Sequence, residues 1–103
     1  MNYARGILAA RTKAGLSKRQ LARSADVDPS FITRLEAGDK QPSLDTLEAI
    51  ARATDTPLAV IMLYASEGRD LINGVTVEDA MVIAERLVDL QRSAEPRRGK
   101  ARK

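Results

Sequence analysis

The chain has 103 residues, a formal net charge of +3, and neither cysteine nor histidine. This length supports one compact domain with a small appendage rather than two independent domains. The absence of cysteine excludes a disulfide framework and a thiolate metal site. No apolar run approaches the roughly 20 residues of a membrane span, and the N-terminus lacks the pattern of a signal peptide. We therefore expect a cytoplasmic protein that neither enters a membrane nor holds a metal.

Positive charge is concentrated at the two ends of the chain. Residues 1–42 carry eight Lys or Arg against four acidic residues, residues 43–96 carry four against ten, and residues 97–103 add five basic side chains. A polyanion is expected to approach the N-terminal half and the tail, whereas the acidic second half suits a basic partner.

The first two helices are predicted by apolar spacing and by capping residues. Apolar residues recur at helical spacing from Ala4 to Leu8, and Gly15 then suits a helix C-terminus. Ser17 followed by Gln20 is a capping box, which predicts that a second helix begins there.

A sharp turn and a third helix follow. Asp26 stands where the chain must turn, because Asp tolerates a left-handed backbone better than most residues. Asp28 can cap the third helix with Pro29 at its first position, where a missing N–H costs nothing. The third helix is expected to end at Gly38.

Two helices are predicted between residues 43 and 65. Ser43 caps the fourth helix, whose buried stripe is expected to begin at Leu44. Thr56 and Pro57 form a second cap-plus-proline start, for the almost wholly apolar stretch LAVIMLYA. A helix of that composition must be buried on several sides.

The sixth helix is predicted to begin at Thr76, with Asp79 completing its cap, and to end near Arg92. Its apolar band is wider than one contact face requires, so we expect two packing partners. Beyond Ser93 the sequence has no apolar anchor and is expected to be disordered. No strand alternation is evident, so the predicted class is all-α.

The second and third helices enclose one small core and predict helix-turn-helix geometry, in which the second helix of the pair lies in the major groove of DNA. Several motifs keep the mutual spacing seen in one known family. From about Ile7 to Leu63 the chain resembles the phage-repressor/Cro and Xre family of helix-turn-helix DNA-binding domains. The similar segments are R-x-x-x-G-L-S (Arg11 to Ser17), L-A (Leu21 and Ala22), V-D-P-S-F-I-T-R-L-E-A-G (Val27 to Gly38) and P-S-L-x-T-L (Pro42 to Leu47).

The resemblance implies a five-helix, lambda-repressor-like domain over residues 1–66. A loop and a C-terminal helix would follow over residues 67–95, and a disordered basic tail over residues 96–103. Two positions depart from the family pattern: Asp26 replaces the common Gly of the turn, and Lys18 replaces a common Gln. Neither change threatens the fold, and Lys18 makes its phosphate contact ionic.

The resemblance implies that the exposed face of the third helix contacts bases. Arg34 is the strongest candidate, because its guanidinium matches guanine O6 and N7 in a bidentate contact. The alternative for this residue is a surface arginine paired with Asp39. The full predicted set of base-contacting residues is Pro29, Ser30, Thr33 and Arg34.

Phosphate contacts are expected at the N-terminus of one helix and in the loop before another, since helix N-termini favour anions. The predicted residues are Ser17, Lys18, Arg19, Lys40, Gln41 and Ser43.

Family members also carry a partly buried salt bridge between the first helix and the end of the third. The matching pair in this chain is Arg11 and Glu36. Its expected role is to orient the two helices.

We expect a homodimer, because two half-sites one helical turn apart give a specificity that one small domain lacks. The expected function is sequence-specific repression from a pseudo-palindromic operator in double-stranded DNA that overlaps a promoter, with no cofactor. The predicted interface residues are Ile61, Tyr64, Met81, Ala84, Leu87 and Val88.

An enzyme and a protein-binding module are the two alternative classes of function. An enzyme is not expected, because histidine, cysteine and a glycine-rich phosphate loop are all absent. The second alternative is a protein-binding role, as the antitoxin of a toxin–antitoxin pair that represses its own operon, as a restriction-modification controller, or as an adaptor without DNA binding. The basic tail either adds nonspecific attraction to phosphate or simply keeps the chain soluble.

Overall fold

The computed structural model describes residues 1–67 and 76–101, with side chains described as far as Leu90. These residues form six helices and no strand, so the predicted all-α class is confirmed. Within the same residues, no helix combines the length and apolarity needed to cross a bilayer. In chain order the helices are α1 (Tyr3–Lys13), α2 (Lys18–Ala25), α3 (Pro29–Ala37), α4 (Leu44–Thr54), α5 (Leu58–Ala65) and α6 (Val77–Ala101).

A tight turn joins α2 to α3. Asp26 ends α2 in the left-handed conformation, with φ 60° and ψ 48°, and the next N–H donates to the carbonyl of Ala22 at 2.9 Å. Asp28 then caps α3 by accepting from the N–H of Ser30 at 2.9 Å, with Pro29 in the first helical position. The predicted turn is therefore confirmed, and a residue that tolerates positive φ stands at its sharpest point.

Three other helix ends also match the predictions. Ser17 and Gln20 form a reciprocal capping box, with hydrogen bonds of 3.0 and 2.8 Å. Gly38 ends α3 with φ 82°, in the left-handed region that glycine adopts without strain. The hydroxyl of Thr76 accepts from the N–H of Asp79 at 3.0 Å at the start of α6.

The start of α5 differs from the prediction. Pro57 is itself the N-cap residue, and no side chain caps this helix. Thr56 is only 4% exposed, and its hydroxyl donates to the carbonyl of Thr54 at 3.1 Å. Because that hydroxyl turns inward to the preceding helix end, it does not reach the free N–H groups of α5, and the prediction of Thr56 as a cap was wrong.

One hydrophobic core lies among all six helices. α4 enters it from Leu47 onward, whereas Leu44 is 62% exposed and does not belong to the buried stripe as predicted. Ala22, at 1% exposed, is small enough to let α2 approach its neighbours closely. The largest fully buried side chains are Tyr64, Ile7, Leu21, Ile32, Leu35, Ile50, Ile61, Val60 and Thr54.

α1 and α5 pack with almost no gap at Gly6. A Cβ atom placed there would lie 2.9 Å from the Cβ of Ala65 and 2.9 Å from the carbonyl oxygen of Ile61. Real Cβ atoms do not approach other heavy atoms so closely. Only glycine therefore allows this separation of the two helices.

The N-terminus of α1 also satisfies the C-terminal carbonyls of α5. Arg5 donates from Nε to the carbonyl of Tyr64 at 3.0 Å and from Nη2 to the carbonyl of Ser66. The N–H of Asn2 donates to the carbonyl of Ala65 at 2.6 Å. Carbonyls at a helix C-terminus have no partner within the helix, so Arg5 completes α5 rather than serving as a free basic side chain.

α6 packs on α5 through a narrow stripe of small side chains. Ala80, Ala84 and Val88 are 0–6% exposed and face the core. The adjoining side of the helix remains open to solvent, with an apolar row formed by Ile83, Leu87 and Leu90. Hereafter these three residues are called the α6 row.

α6 is longer than predicted. It runs to Ala101 rather than ending near Arg92, so residues 96–101 are helical instead of forming the expected disordered tail. This stretch contains Pro96 and Gly99, the two residue types least favourable in a helix interior, so local propensity does not explain the extension. The loop predicted before α6 falls mainly on residues 68–75, which lie outside the described residues.

Candidate nucleic-acid interface

α3 turns one face to the core and the opposite face to solvent. Its inner residues, Ile32 and Leu35, are at most 1% exposed, and Phe31 packs partly over the core edge. Residues at positions i, i+3 and i+4 share one face of a helix. The exposed set contains all four residues predicted to contact bases: Pro29, Ser30, Thr33 and Arg34.

Arg34 carries a free positive charge on this face. Among the described residues its guanidinium makes no ion pair. Its contact with Asp39 is through the backbone alone, where the N–H of Asp39 donates to the carbonyl of Arg34 at 2.9 Å. The surface pair with Asp39 is thus not formed, and the five N–H donors of the guanidinium remain available.

A hydrogen bond between two side chains at the N-terminal end of α3 was not predicted. The hydroxyl of Ser30 donates to Oδ1 of Asp28 at 2.7 Å, and the backbone N–H of Ser30 donates to the same oxygen at 2.9 Å. These two hydrogen bonds, the side-chain bond above all, lower the pKa of Asp28 below its ordinary value. The carboxylate is consequently ionised at neutral pH and can only accept hydrogen bonds.

The N-terminus of α2 holds three of the predicted phosphate-binding residues. Ser17, Lys18 and Arg19 are all exposed. The oxygen of the Ser17 hydroxyl accepts the cap hydrogen bond from Gln20, which leaves its own proton free to donate. Two cations and a free hydroxyl therefore meet at a helix end whose dipole already favours an anion.

The loop before α4 holds the other three: Lys40, Gln41 and Ser43, which are also exposed. Ser43 caps α4 by accepting from the N–H of Thr46 at 3.1 Å. The structure therefore places both sets of predicted phosphate-binding residues at a helix N-terminus or in the loop directly before one.

Arg11 and Glu36 hold the end of α3 against α1. Nε of Arg11 donates to Oε2 of Glu36 at 2.7 Å, and Nη2 donates to Oε1 at 3.0 Å. Nη1 of Arg11 also donates to the carbonyl of Leu16 at 3.0 Å. The two side chains are only 14% and 6% exposed, and hydrogen bonding to Glu36 raises the pKa of Arg11. This bidentate pair fixes the orientation of the exposed helix from behind.

The predicted interface residues lie in two different environments. Ile61, Tyr64, Ala84 and Val88 are 0–6% exposed and packed inside the chain's own core. A second copy cannot reach them without opening that core. Met81 is half-buried, and Leu87, at 49% exposed, belongs to the α6 row.

A contact between α1 and α6 was missed by the sequence analysis. Nζ of Lys13 lies 2.7 Å from Oε2 of Glu85 and 5.7 Å from the ring centroid of Tyr64. The two charged residues are 72 positions apart, so no local pattern connects them.

Two short helices joined by a left-handed turn, with the second one exposed, define a helix-turn-helix domain. Residues 7–61 match the helix-turn-helix family, and the chain belongs to this family. Over 58 residues it is 36% identical to the transcriptional regulator ClgR of Mycobacterium tuberculosis, with the same values in two strains. The aligned region covers 56% of this chain and 52% of each relative, so the chain spans about half the length of the relatives it matches. No solved structure matches the chain.

The comparisons confirm two predictions made from the sequence. The suspected family is the one found, and its members are DNA-binding modules rather than enzymes.

Proposed function

We propose that this protein is a sequence-specific DNA-binding transcriptional regulator that represses, as a homodimer, by covering a promoter. The observation that carries the proposal is the exposed polar face of α3, which a buried salt bridge and a close-packed core hold in place. Rigid support of this kind is what base recognition requires, because contacts to base edges depend on accurate positioning.

The dimensions of α3 suit the major groove of DNA. A helix of nine residues is about 14 Å long, and the groove is about 12 Å wide. With α3 in the groove, we expect the N-terminus of α2 and the loop at residues 40–43 to meet phosphates of the DNA backbone. Contacts to phosphate position the domain, and contacts from α3 provide sequence preference.

The charges around α3 support the same orientation. Lys18, Arg19 and Lys40 form no ion pair within the described part of the chain. Each is therefore available to neutralise a phosphate and release a counterion, which makes binding weaker as salt rises.

The proposal is tested by selecting sequences from a pool of randomised duplex DNA with the wild-type protein, Arg34→Ala and Arg52→Ala. Arg52 is the matched control, because it is exposed and lies in the last turn of α4, at the end away from the phosphate-binding loop. We expect the wild type and Arg52→Ala to enrich the same motif, and Arg34→Ala to lose preference at one guanine. If the wild-type protein enriches no sequence, the proposed function is wrong.

The homodimer is proposed to form through the α6 row. Ile83, Leu87 and Leu90 are 54%, 49% and 64% exposed, and their i, i+4, i+7 spacing makes one apolar stripe on the helix. Such a stripe on an exposed helix is a surface that a second copy can cover. A two-fold dimer would then present two α3 helices to a pseudo-palindromic operator.

The dimer is tested by sedimentation of the wild type, Leu87→Asp and Val82→Asp, each over a range of protein concentrations. Val82 is 64% exposed on the same helix and lies about a quarter turn away from the α6 row, which makes it a matched control. We expect wild type and Val82→Asp to be dimers and Leu87→Asp to be a monomer. A wild-type mass that remains monomeric up to tens of micromolar would contradict the proposal.

An antitoxin role is the second candidate, and the negative charge of residues 77–90 on α6 favours it. The same helix carries four exposed acidic side chains, Glu78, Asp79, Glu85 and Asp89. Glu85 pairs with Lys13, and the other three suit a basic protein partner. Co-purification of a small basic protein that Leu87→Asp abolishes, together with a monomeric wild type, would select this function over the homodimer.

A further inference from the structure

We infer that the N-terminal end of α3 is set to accept hydrogen bonds, so that Ser30 recognises a base with an exocyclic amino group in the major groove. The matching groups are N6 of adenine and N4 of cytosine. Asp28 is the positioning residue that fixes this chemistry. The inference rests on the proposed function and specifies which chemical groups of the DNA this end of α3 contacts.

The direction of the hydrogen bond between the two side chains is fixed by Asp28. An ionised carboxylate has no proton to give, so the Ser30 hydroxyl must be the donor in their 2.7 Å contact. A serine hydroxyl has one proton and two lone pairs. With its proton committed to Asp28, Ser30 can offer only lone pairs to the DNA.

Reversing this arrangement in the complex would be unfavourable. To donate to N7 or O6 of guanine, Ser30 would exchange a bond to a charged acceptor for a bond to a neutral one. Bonds to ionised groups are about twice as strong as neutral ones. The exchange would also leave the Asp28 carboxylate with one donor fewer.

The neighbouring groups on α3 have complementary chemistry. Pro29 has no N–H to donate, and the hydroxyl of Thr33 donates to the carbonyl of Pro29 at 3.3 Å, which also leaves its lone pairs outward. Arg34 carries donors alone. The face is therefore divided into acceptors at its N-terminal end and a donor one turn later. Four residues of helix rise about 6 Å, so the amino-bearing base and the guanine contacted by Arg34 should lie roughly two base pairs apart.

The experiment begins with motifs selected from a randomised duplex pool by the wild type and by Ser30→Ala. Ser30 is exposed, and after the substitution the backbone N–H of residue 30 still donates the cap hydrogen bond to Asp28. The variant is therefore expected to fold. The position whose preference Ser30→Ala loses is then altered chemically in synthetic duplexes. One alteration removes the amino group from the major groove, by placing 2-aminopurine for adenine or 2-pyrimidinone for cytosine. The other replaces the purine of the same base pair by its 7-deaza form, which removes an acceptor instead.

We expect the wild type to lose about 3- to 10-fold in affinity when the amino group is removed, the effect of one hydrogen bond. It should be unaffected by the 7-deaza purine, and Ser30→Ala should be indifferent to both alterations. A wild-type loss on the 7-deaza duplex alone would overturn the inference, as would a Ser30→Ala motif identical to the wild-type motif. Enrichment of no motif by the wild type is a different result, because it would remove the proposed function itself.

Asp28→Asn provides a second test of the positioning role. Asparagine caps helices as well as aspartate does, so α3 is retained while the charge that fixes the serine proton is lost. The ratio of affinities for the amino-bearing base and for guanine at that position is expected to move toward one. An unchanged ratio would show that Asp28 acts only as a helix cap.

Discussion

Glu36→Ala is expected to destabilise the fold far more than removal of an ordinary surface carboxylate. Glu36 accepts two of the three hydrogen bonds that the Arg11 guanidinium makes, at 2.7 and 3.0 Å, and the third goes to the carbonyl of Leu16. After the substitution a guanidinium that is 14% exposed keeps a single acceptor. A permanently charged group would then be stranded between α1 and α3.

The magnitude follows from the burial of the pair. Removing one partner of a buried ion pair costs about 3–5 kcal/mol, because the other charge loses its compensation. The Leu16 carbonyl remains and Arg11 has partial access to water, so we expect a loss near the lower end, about 3 kcal/mol. For a domain of this size, that corresponds to a fall in Tm of roughly 12–24 °C.

Urea unfolding of wild type, Glu36→Ala and Glu48→Ala measures the difference. Glu48 is exposed on α4, and its removal is expected to change the free energy of unfolding by no more than about 0.5 kcal/mol. The double variant Arg11→Met/Glu36→Leu should recover most of the loss, since no charge is then stranded. Equal unfolding midpoints for Glu36→Ala and Glu48→Ala would refute the assigned role of this pair.

Three further predictions concern stability. Gly6→Ala should lower the free energy of unfolding by about 1–2 kcal/mol, because the new Cβ would lie 2.9 Å from the Cβ of Ala65; an unchanged Tm would contradict this. The lowered pKa of Asp28 implies stability that is present above the ordinary aspartate pKa of about 4 and is lost as the pH falls through the lowered value. The advantage of wild type over Asp28→Asn should therefore shrink in acid, and a constant difference from neutral to acid pH would exclude the effect. Lys13→Ala should cost less than about 1 kcal/mol, and less still in high salt, because the pair with Glu85 is exposed; a larger, salt-independent loss would show that the pair is not screened by solvent.

Helix ends were predictable where the signal is local. Ser17 with Gln20, and Asp28 with Ser30, lie within three positions of each other, so their capping bonds depend on little besides the backbone of one turn. Thr56 shows the limit of this reasoning. A threonine before a proline resembles a cap, but here the buried hydroxyl already has a carbonyl partner in the preceding helix.

Contacts between distant parts of the chain were not predictable in the same way. Arg5 was counted as a basic side chain open to a polyanion, yet it donates to the carbonyls of Tyr64 and Ser66 at the end of α5. Those partners are about 60 positions away, and a carbonyl is common to every residue type. Composition and spacing therefore carry no sign of this contact.

The apolar pattern of α6 predicted that it has two partners without showing which residue meets which. Periodicity indicates that a side chain is covered, and does not say what covers it. Ala84 and Val88 were predicted to contact a second copy, but they are buried in the core of the same chain, where α6 packs against α5. Among the residues predicted to form the dimer interface, Leu87 is exposed and can meet an outside partner. Ile83 and Leu90, which were not predicted, are exposed beside it.

In the proposed complex α3 recognises bases, while α2 and the loop before α4 bind phosphates. The most direct measurement is fluorescence anisotropy of wild type, Arg34→Ala and Lys18→Ala on the selected motif and on scrambled DNA, at two salt concentrations. We predict that Arg34→Ala loses most of the preference for the motif, whereas Lys18→Ala weakens binding to both DNAs equally and lowers the salt slope by about one. Equal, weak binding of the wild type to both DNAs, with no change in either variant, would contradict the claim.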